Sequence, residues 1–290
     1  MTSTARTRDE ARRAGGAPAG PADTVRQVVV LVTSLLAIVA AFIGSGAAGG
    51  TPIQDAAGGW LDADSTLIAP ARSAFGIWSV IYTGMLAYAI YQVLPGQRTS
   101  ARHRRIGYAV AASLVLNAVW IGVVQLDLLW ASLPVIVVLL AVLAWLFVQL
   151  RRMPPSGVVD AIVTDGSIGL YLGWVVVATA ANATAVLQAA GFDGWGLAPE
   201  AWAIAVIVAA AAVGVGLAWW GRGRIAPALS LSWGLAWVAV GRLTDEPESA
   251  ATGIAAAIAA AVVIVVTLVV RIGAMRSTRD DRRVGTPGDG

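Results

Sequence analysis

Along this chain the polar positions come in short clusters and the apolar ones in long unbroken runs. Eight runs stand out, at about 28–48, 73–94, 106–126, 128–149, 166–189, 200–220, 225–242 and 252–272. Each is close to the ~20 residues an α-helix needs to cross the hydrocarbon of a bilayer. The runs are continuously apolar rather than alternating, and in lipid only helices or closed barrels satisfy every backbone group. The pattern therefore predicts an all-α, polytopic membrane helix bundle with about eight transmembrane helices. The first run exceeds the ~7–15 apolar residues of a signal peptide and reads as a span. The seventh is the weakest, diluted by Pro227, Ser230 and Ser232. Residues 1–26 and 274–290, rich in Arg, Gly, Pro and Thr, read as disordered tails.

Inside three of the runs the aromatic and amide positions repeat at helical spacing. Phe75, Trp78, Tyr82 and Met85 share one face of the second span. Ser113, Asn117 and Trp120 share a face of the third, and Tyr171, Trp174, Ala178 and Asn182 a face of the fifth. The second span runs opposite to the third and fifth, so Phe75, Trp78, Asn117, Trp120 and Asn182 fall at similar depth, with Trp174 beneath them. That agreement points to a pocket for a flat, mostly apolar ligand. Asn117 and Asn182 carry two readings: interhelical hydrogen bonds that only hold the bundle together, or amides that orient a ligand. Trp60, Trp130, Trp195, Trp202, Trp219 and Trp220 read as the aromatic belt of the membrane interface. The loop at 49–72 is long enough to fold over the pocket mouth, or to be a flexible linker.

Charge adds an orientation. All 20 basic residues are arginine, and with the N-terminus inside, 18 of them lie on the inner side. Only Arg72 and Arg242 fall outside. By the positive-inside rule both termini are expected in the cytoplasm, across the inner membrane of a bacterium. The composition, 58% hydrophobic and 13% charged, is that of a membrane protein. Its arginines lie in tails and loops without interleaved aromatics, so nucleic-acid binding has no support. The chain has no cysteine, which excludes disulfide and thiolate chemistry. No span carries a charged residue at its middle, which argues against a pump or ion-coupled transporter. His103, the one histidine, sits in an arginine cluster that reads as a solvated loop. It has no second ligand for a metal, and no serine has a base in reach. No enzyme or metal site is expected, and no cofactor is required.

The motifs FGIWSVIYTGM at 75–85, LNAVW at 116–120 and YLGWVVVATAAN at 171–182 resemble the second-, third- and fifth-helix signatures of the TspO/MBR family. These are the tryptophan-rich sensory proteins related to the mitochondrial translocator protein, the peripheral benzodiazepine receptor. The resemblance covers about residues 28–190. It implies a five-helix core at 27–190, with three additional helices at 191–273 outside it. It also implies a membrane receptor or sensor whose pocket binds a hydrophobic small molecule, porphyrin- or other tetrapyrrole-like or sterol-like. By resemblance, Phe75, Trp78, Tyr82, Asn117, Trp120, Tyr171, Trp174, Ala178 and Asn182 would line or support that pocket. LIAPARSA stands where typical members have a Trp- and Pro-rich segment before the second helix. Two other functions fit the sequence: a transporter of a neutral small molecule, and a scaffold whose aromatics merely pack. The Ala- and Gly-rich last spans suit packing against the core or against a partner subunit in a homodimer.

Overall fold

A computed structural model describes residues 18–49, 51–53 and 55–284, with side-chain surroundings as far as Ser277. Eight long helices account for most of it. They are α1 (Pro21–Gly44), α2 (Ile77–Val93), α3 (Ala101–Gln125), α4 (Leu129–Arg152), α5 (Ser167–Ala189), α6 (Pro199–Trp220), α7 (Ile225–Thr244) and α8 (Ala250–Val284). No strand occurs among the described residues. Seven helical segments are long and apolar enough to cross a membrane, all but α7.

Prolines mark several of the boundaries. Pro21 and Pro199 open α1 and α6, at the position where a missing N–H costs nothing. Pro95 follows the end of α2, and Pro154 and Pro155 follow that of α4. A turn of 3₁₀-helix over Arg72–Gly76 leads into α2. A short helix and a π-helical turn, Val158–Asp160 and Ala161–Gly166, lead into α5.

α1 packs on α2 and α3, α3 on α4, α4 on α5, α5 on α7, α7 on α8, and α8 on α6. α7 is thus the seam between α1–α5 and the last helices, which explains its weak apolar signature. Pro227, Ser230, Ser232, Gly234 and Arg242 are all buried there, facing protein rather than lipid. The Ser232 hydroxyl donates to the Ala260 carbonyl of α8 at 3.0 Å. Gly173 of α5 is what allows the seam to close. A Cβ there would stand 2.1 Å from the Pro227 carbonyl oxygen and 2.3 Å from Ser230 Oγ, so only glycine admits the α7 backbone this closely.

The helices extend beyond the expected spans at three places. α1 begins at Pro21, so residues 21–26 of the expected N-terminal tail are helical; residues 1–17 lie outside the described residues. α8 runs through Val284 rather than stopping at 272. At 35 residues it spans roughly 52 Å, more than the ~30 Å of hydrocarbon. The lead-in to α5 carries Asp160 and Asp165 into the bundle. There Arg102 pairs with both, at 2.7 Å to Asp160, and Arg224 pairs with Asp165.

His103 departs furthest from its reading. It is fully buried at the arginine-rich end of α3, its ring 5.7 Å from those of Tyr88 and of Tyr91, not in a solvated loop. Its neighbour Arg104 holds Asp23 of α1 through two contacts of 2.7 Å. Arg26, also fully buried, donates to the Arg98 carbonyl at 3.0 Å. The cluster RHRR is therefore a clamp between α1, α2, α3 and the π turn.

Candidate functional site

At the arginine-poor end, α2, α3, α4 and α5 surround a small apolar cavity. Its ring-bearing wall comes from helical periodicity. Phe75, in the 3₁₀ turn, and Trp78, at the head of α2, lie three residues apart, and each presents its ring to Trp174 of α5. Phe75 meets Trp174 edge-on at 5.8 Å and Trp78 meets it edge-on at 6.2 Å. Trp78 also stacks on Tyr82 at 5.2 Å and meets Tyr171 edge-on at 5.9 Å. Such offset and T-shaped contacts each contribute about 0.5–1.5 kcal/mol beyond area burial, and they fix the ring planes.

The amides are tied in turn. Asn117 of α3 donates to the Tyr82 hydroxyl at 2.5 Å. Trp120 Nε1 donates to Asn182 Oδ1 at 3.0 Å, and Asn182 Nδ2 donates to Ser132 Oγ of α4 at 2.8 Å. This chain joins α3, α5 and α4 across the cavity. One polar atom of the wall is left over: Trp174 is 2% exposed, and its Nε1 has no hydrogen-bond partner.

Of the nine residues singled out in the sequence, Phe75, Trp78, Asn117, Trp120, Trp174, Ala178 and Asn182 line the cavity. Tyr82 and Tyr171 stand behind them. Tyr82 supports Trp78 and Asn117, and the Tyr171 hydroxyl donates to the Ser113 carbonyl at 3.2 Å. Met85 is buried below.

Three groups of lining residues were not foreseen, the first being Val175, Val177 and Ala181 of α5, which lie between the periodic positions. Ile136 and Leu139 come from α4, whose uniformly apolar run gives no sign of which face matters. Ile53, Trp60, Leu61, Thr66, Ala69 and Pro70 come from the connection between α1 and α2. Trp60, read as part of the interfacial belt, also lines the cavity while staying 36% exposed. Of the two readings of this loop, the geometry is that of a cover. Trp145, deep in its span, lies under the Arg105 guanidinium, 5.3 Å from the ring centroid, away from the cavity.

The cover is fastened at several points. Arg72 bonds Asp62, through Nε at 2.9 Å and again through Nη2, and reaches Asp55 at 2.9 Å. Burial acts to raise the Asp62 carboxyl, but the hydrogen bonds from Arg72 and the Ala63 N–H outweigh it. The pKa of Asp62 is lowered from the ordinary carboxylate value. Ala57 N–H donates to Asp127 at 2.9 Å, which ties the loop to the turn between α3 and α4.

Further fastenings come from α7. Ala71 N–H donates to the Trp237 carbonyl at 3.1 Å, and Trp233 Nε1 donates to the Ala74 carbonyl at 3.0 Å. Arg242 donates to the Ala63 carbonyl at 2.6 Å and to Pro247 O at 2.9 Å. Arg242 is fully buried, so a guanidinium from the seam helix holds the cover from below.

The void left beneath the cover is about 50 Å³, room for a few waters against the ~300–1,000 Å³ of small-molecule sites. A planar ligand enters only if the loop lifts or the rings turn.

A sequence model of the family described as TSPO-like protein matches residues 29–270. The match covers most of the chain, including the last three helices that the motif resemblance left outside. No curated protein and no solved structure matches the chain.

Proposed function

We propose, for a chain that belongs to the TSPO-like protein family and is a multi-pass membrane protein, that it is a receptor for a planar, largely apolar ligand held among α2, α3, α4 and α5. The ligand class is tetrapyrrole- or sterol-like. The observation that carries this reading is the unpartnered Nε1 of the buried Trp174, in a wall where the Trp120 indole donates to Asn182 and the amides of Asn117 and Asn182 donate to Tyr82 and Ser132. A buried donor without a partner costs about 1–3 kcal/mol, and an acceptor on the ligand would recover it. The rings of Phe75, Trp78 and Trp174 supply flat apolar contact, and the loop excludes water once it closes. The arginine-poor end that carries the site then faces away from the cytoplasm, with both termini on the cytoplasmic side of a bacterial inner membrane.

The test is a titration with protoporphyrin IX, followed by quenching of tryptophan fluorescence on the protein in detergent. Trp174→Phe keeps a ring and removes the donor, and its affinity is expected to fall about five-fold, the equivalent of ~1 kcal/mol. The double variant Trp78→Ala, Trp174→Ala is expected to lose saturable binding. Superimposable curves for all three proteins would overturn the proposal.

A further inference from the structure

A second concavity opens at the arginine-rich end of the molecule, between α6 and α8 and remote from the aromatic cavity. Trp219 forms one wall, Val265, Val266, Val269 and Val270 form the other, and Arg222 stands at the mouth. The groove holds about 540 Å³, within the range of small-molecule sites, and unlike the covered cavity it is open along its length. Trp219 is 71% exposed and Val269 63%.

Three features define what fits there. The first is length: from Val265 to Ser277, which ends the lining, α8 advances roughly 18 Å, close to the ~15 Å of one hydrocarbon leaflet. The groove is thus long enough to take one acyl chain. The second is charge. Among the described residues no lining residue is acidic and Arg222 makes no ion pair. Arg271 and Arg276 are exposed at the same end, and Arg271 also holds the turn between α6 and α7 through the Gly223 carbonyl at 3.4 Å. The third is clearance: among the described residues a Cβ built on Gly273 meets nothing within 4 Å.

We propose that this groove binds one anionic phospholipid of the arginine-rich leaflet, its acyl chain along the valines and its phosphate against Arg222. An arginine near an anionic surface contributes ~1 kcal/mol. The preference for an anionic over a zwitterionic headgroup is therefore about five-fold. The alternative occupant of an open apolar face in a membrane is a second copy of the chain, with the valines and Trp219 buried between protomers.

The test places the full-length protein in nanodiscs of phosphatidylcholine containing chain-brominated phosphatidylglycerol, or equally brominated phosphatidylcholine. Bromine quenches an indole that it touches. The Trp219 contribution is isolated as the difference between wild type and Trp219→Phe. Quenching by the glycerol lipid is expected to saturate at about five-fold lower mole fraction than by the choline lipid. Arg222→Gln is expected to make the two lipids equal while leaving chain contact intact. Gly273→Leu, which has room to fold, is expected to abolish saturable quenching by both. Equal quenching by both lipids in wild type, or a preference that survives Arg222→Gln, would overturn the proposal. So would a Trp219 that neither lipid reaches in a protein that sediments as a dimer.

Discussion

Replacing Gly173 by alanine is expected to lower the thermal unfolding temperature sharply and to weaken porphyrin binding in the same variant. The added methyl has nowhere to go: the nearest atoms are the Pro227 carbonyl oxygen at 2.1 Å and Ser230 Oγ at 2.3 Å. One of these is backbone and cannot rotate away, so α5 and α7 must separate. Overpacking of a core costs about 1–3 kcal/mol where side chains adjust, and this contact is at the upper end or beyond it. Binding suffers because Trp174, the next residue, rides on α5 into the cavity. The matching control is Gly216→Ala in α6, where a Cβ meets nothing within 4 Å and the change exchanges a poor helix former for a good one. Gly216→Ala is expected to unfold at the wild-type temperature or slightly above. Equal stability of the two variants would show that α7 does not pack on α5 in this way.

Arg242→Met is expected to destabilise the protein by about 3 kcal/mol and to loosen the cover without altering the cavity walls. The arginine is fully buried and gives its N–H groups to the carbonyls of Ala63, Glu246 and Pro247. Methionine keeps an apolar stem but leaves those carbonyls without this donor, and hydrogen bonds to charged groups contribute about 1.5–3 kcal/mol each. Amide exchange is the readout that separates local from global effects. Residues 56–71 are expected to exchange faster by at least ten-fold, the equivalent of ~1.4 kcal/mol of local opening, with α3 and α4 near their wild-type rates. Porphyrin association should quicken in step, because the closed void of about 50 Å³ makes opening a requirement for entry. If the loop keeps its protection in this variant, α7 is not what fastens it.

Most of the bundle was legible because hydrocarbon leaves the backbone few choices: an unbroken apolar run of the right length becomes a helix. The aromatic faces were legible for the same kind of reason. Phe75, Trp78, Asn117, Trp120, Trp174, Ala178 and Asn182 recur at helical spacing, and periodicity places them on defined sides. What escaped has no periodicity to read. Trp60 lies in a loop, where its sequence surroundings resemble those of an interfacial residue, and only the fastening by Arg72, Asp127 and Arg242 brings it to the edge of the cavity. Ser132, Ile136 and Leu139 sit in a helix that is apolar all round. Arg26, His103 and Arg242 were placed in tails or loops because a charge at the end of a span looks the same in sequence whether it meets water or a neighbouring helix. Their partners decide: Asp23 and the Arg98 carbonyl near Arg26, the rings of Tyr88 and Tyr91 around His103, and the Ala63 carbonyl on Arg242. α7 was the faintest span and is the one most concerned with protein contacts, which is the same fact seen twice.

The aromatic cavity is the proposed place where ligand binds, and one comparison of variants reaches it most directly. Ala178→Phe places a ring in the space beneath the cover, while Val80→Phe places the same ring on the exposed side of α2, where Val80 is 56% exposed. Protoporphyrin IX is titrated against both variants and the wild type. The expected result is an affinity at least ten-fold weaker for Ala178→Phe, the equivalent of ~1.4 kcal/mol and within the ~1–3 kcal/mol of overfilling a packed site, with Val80→Phe indistinguishable from wild type. Wild-type affinity in Ala178→Phe would contradict it, because a ligand indifferent to a filled cavity binds somewhere else.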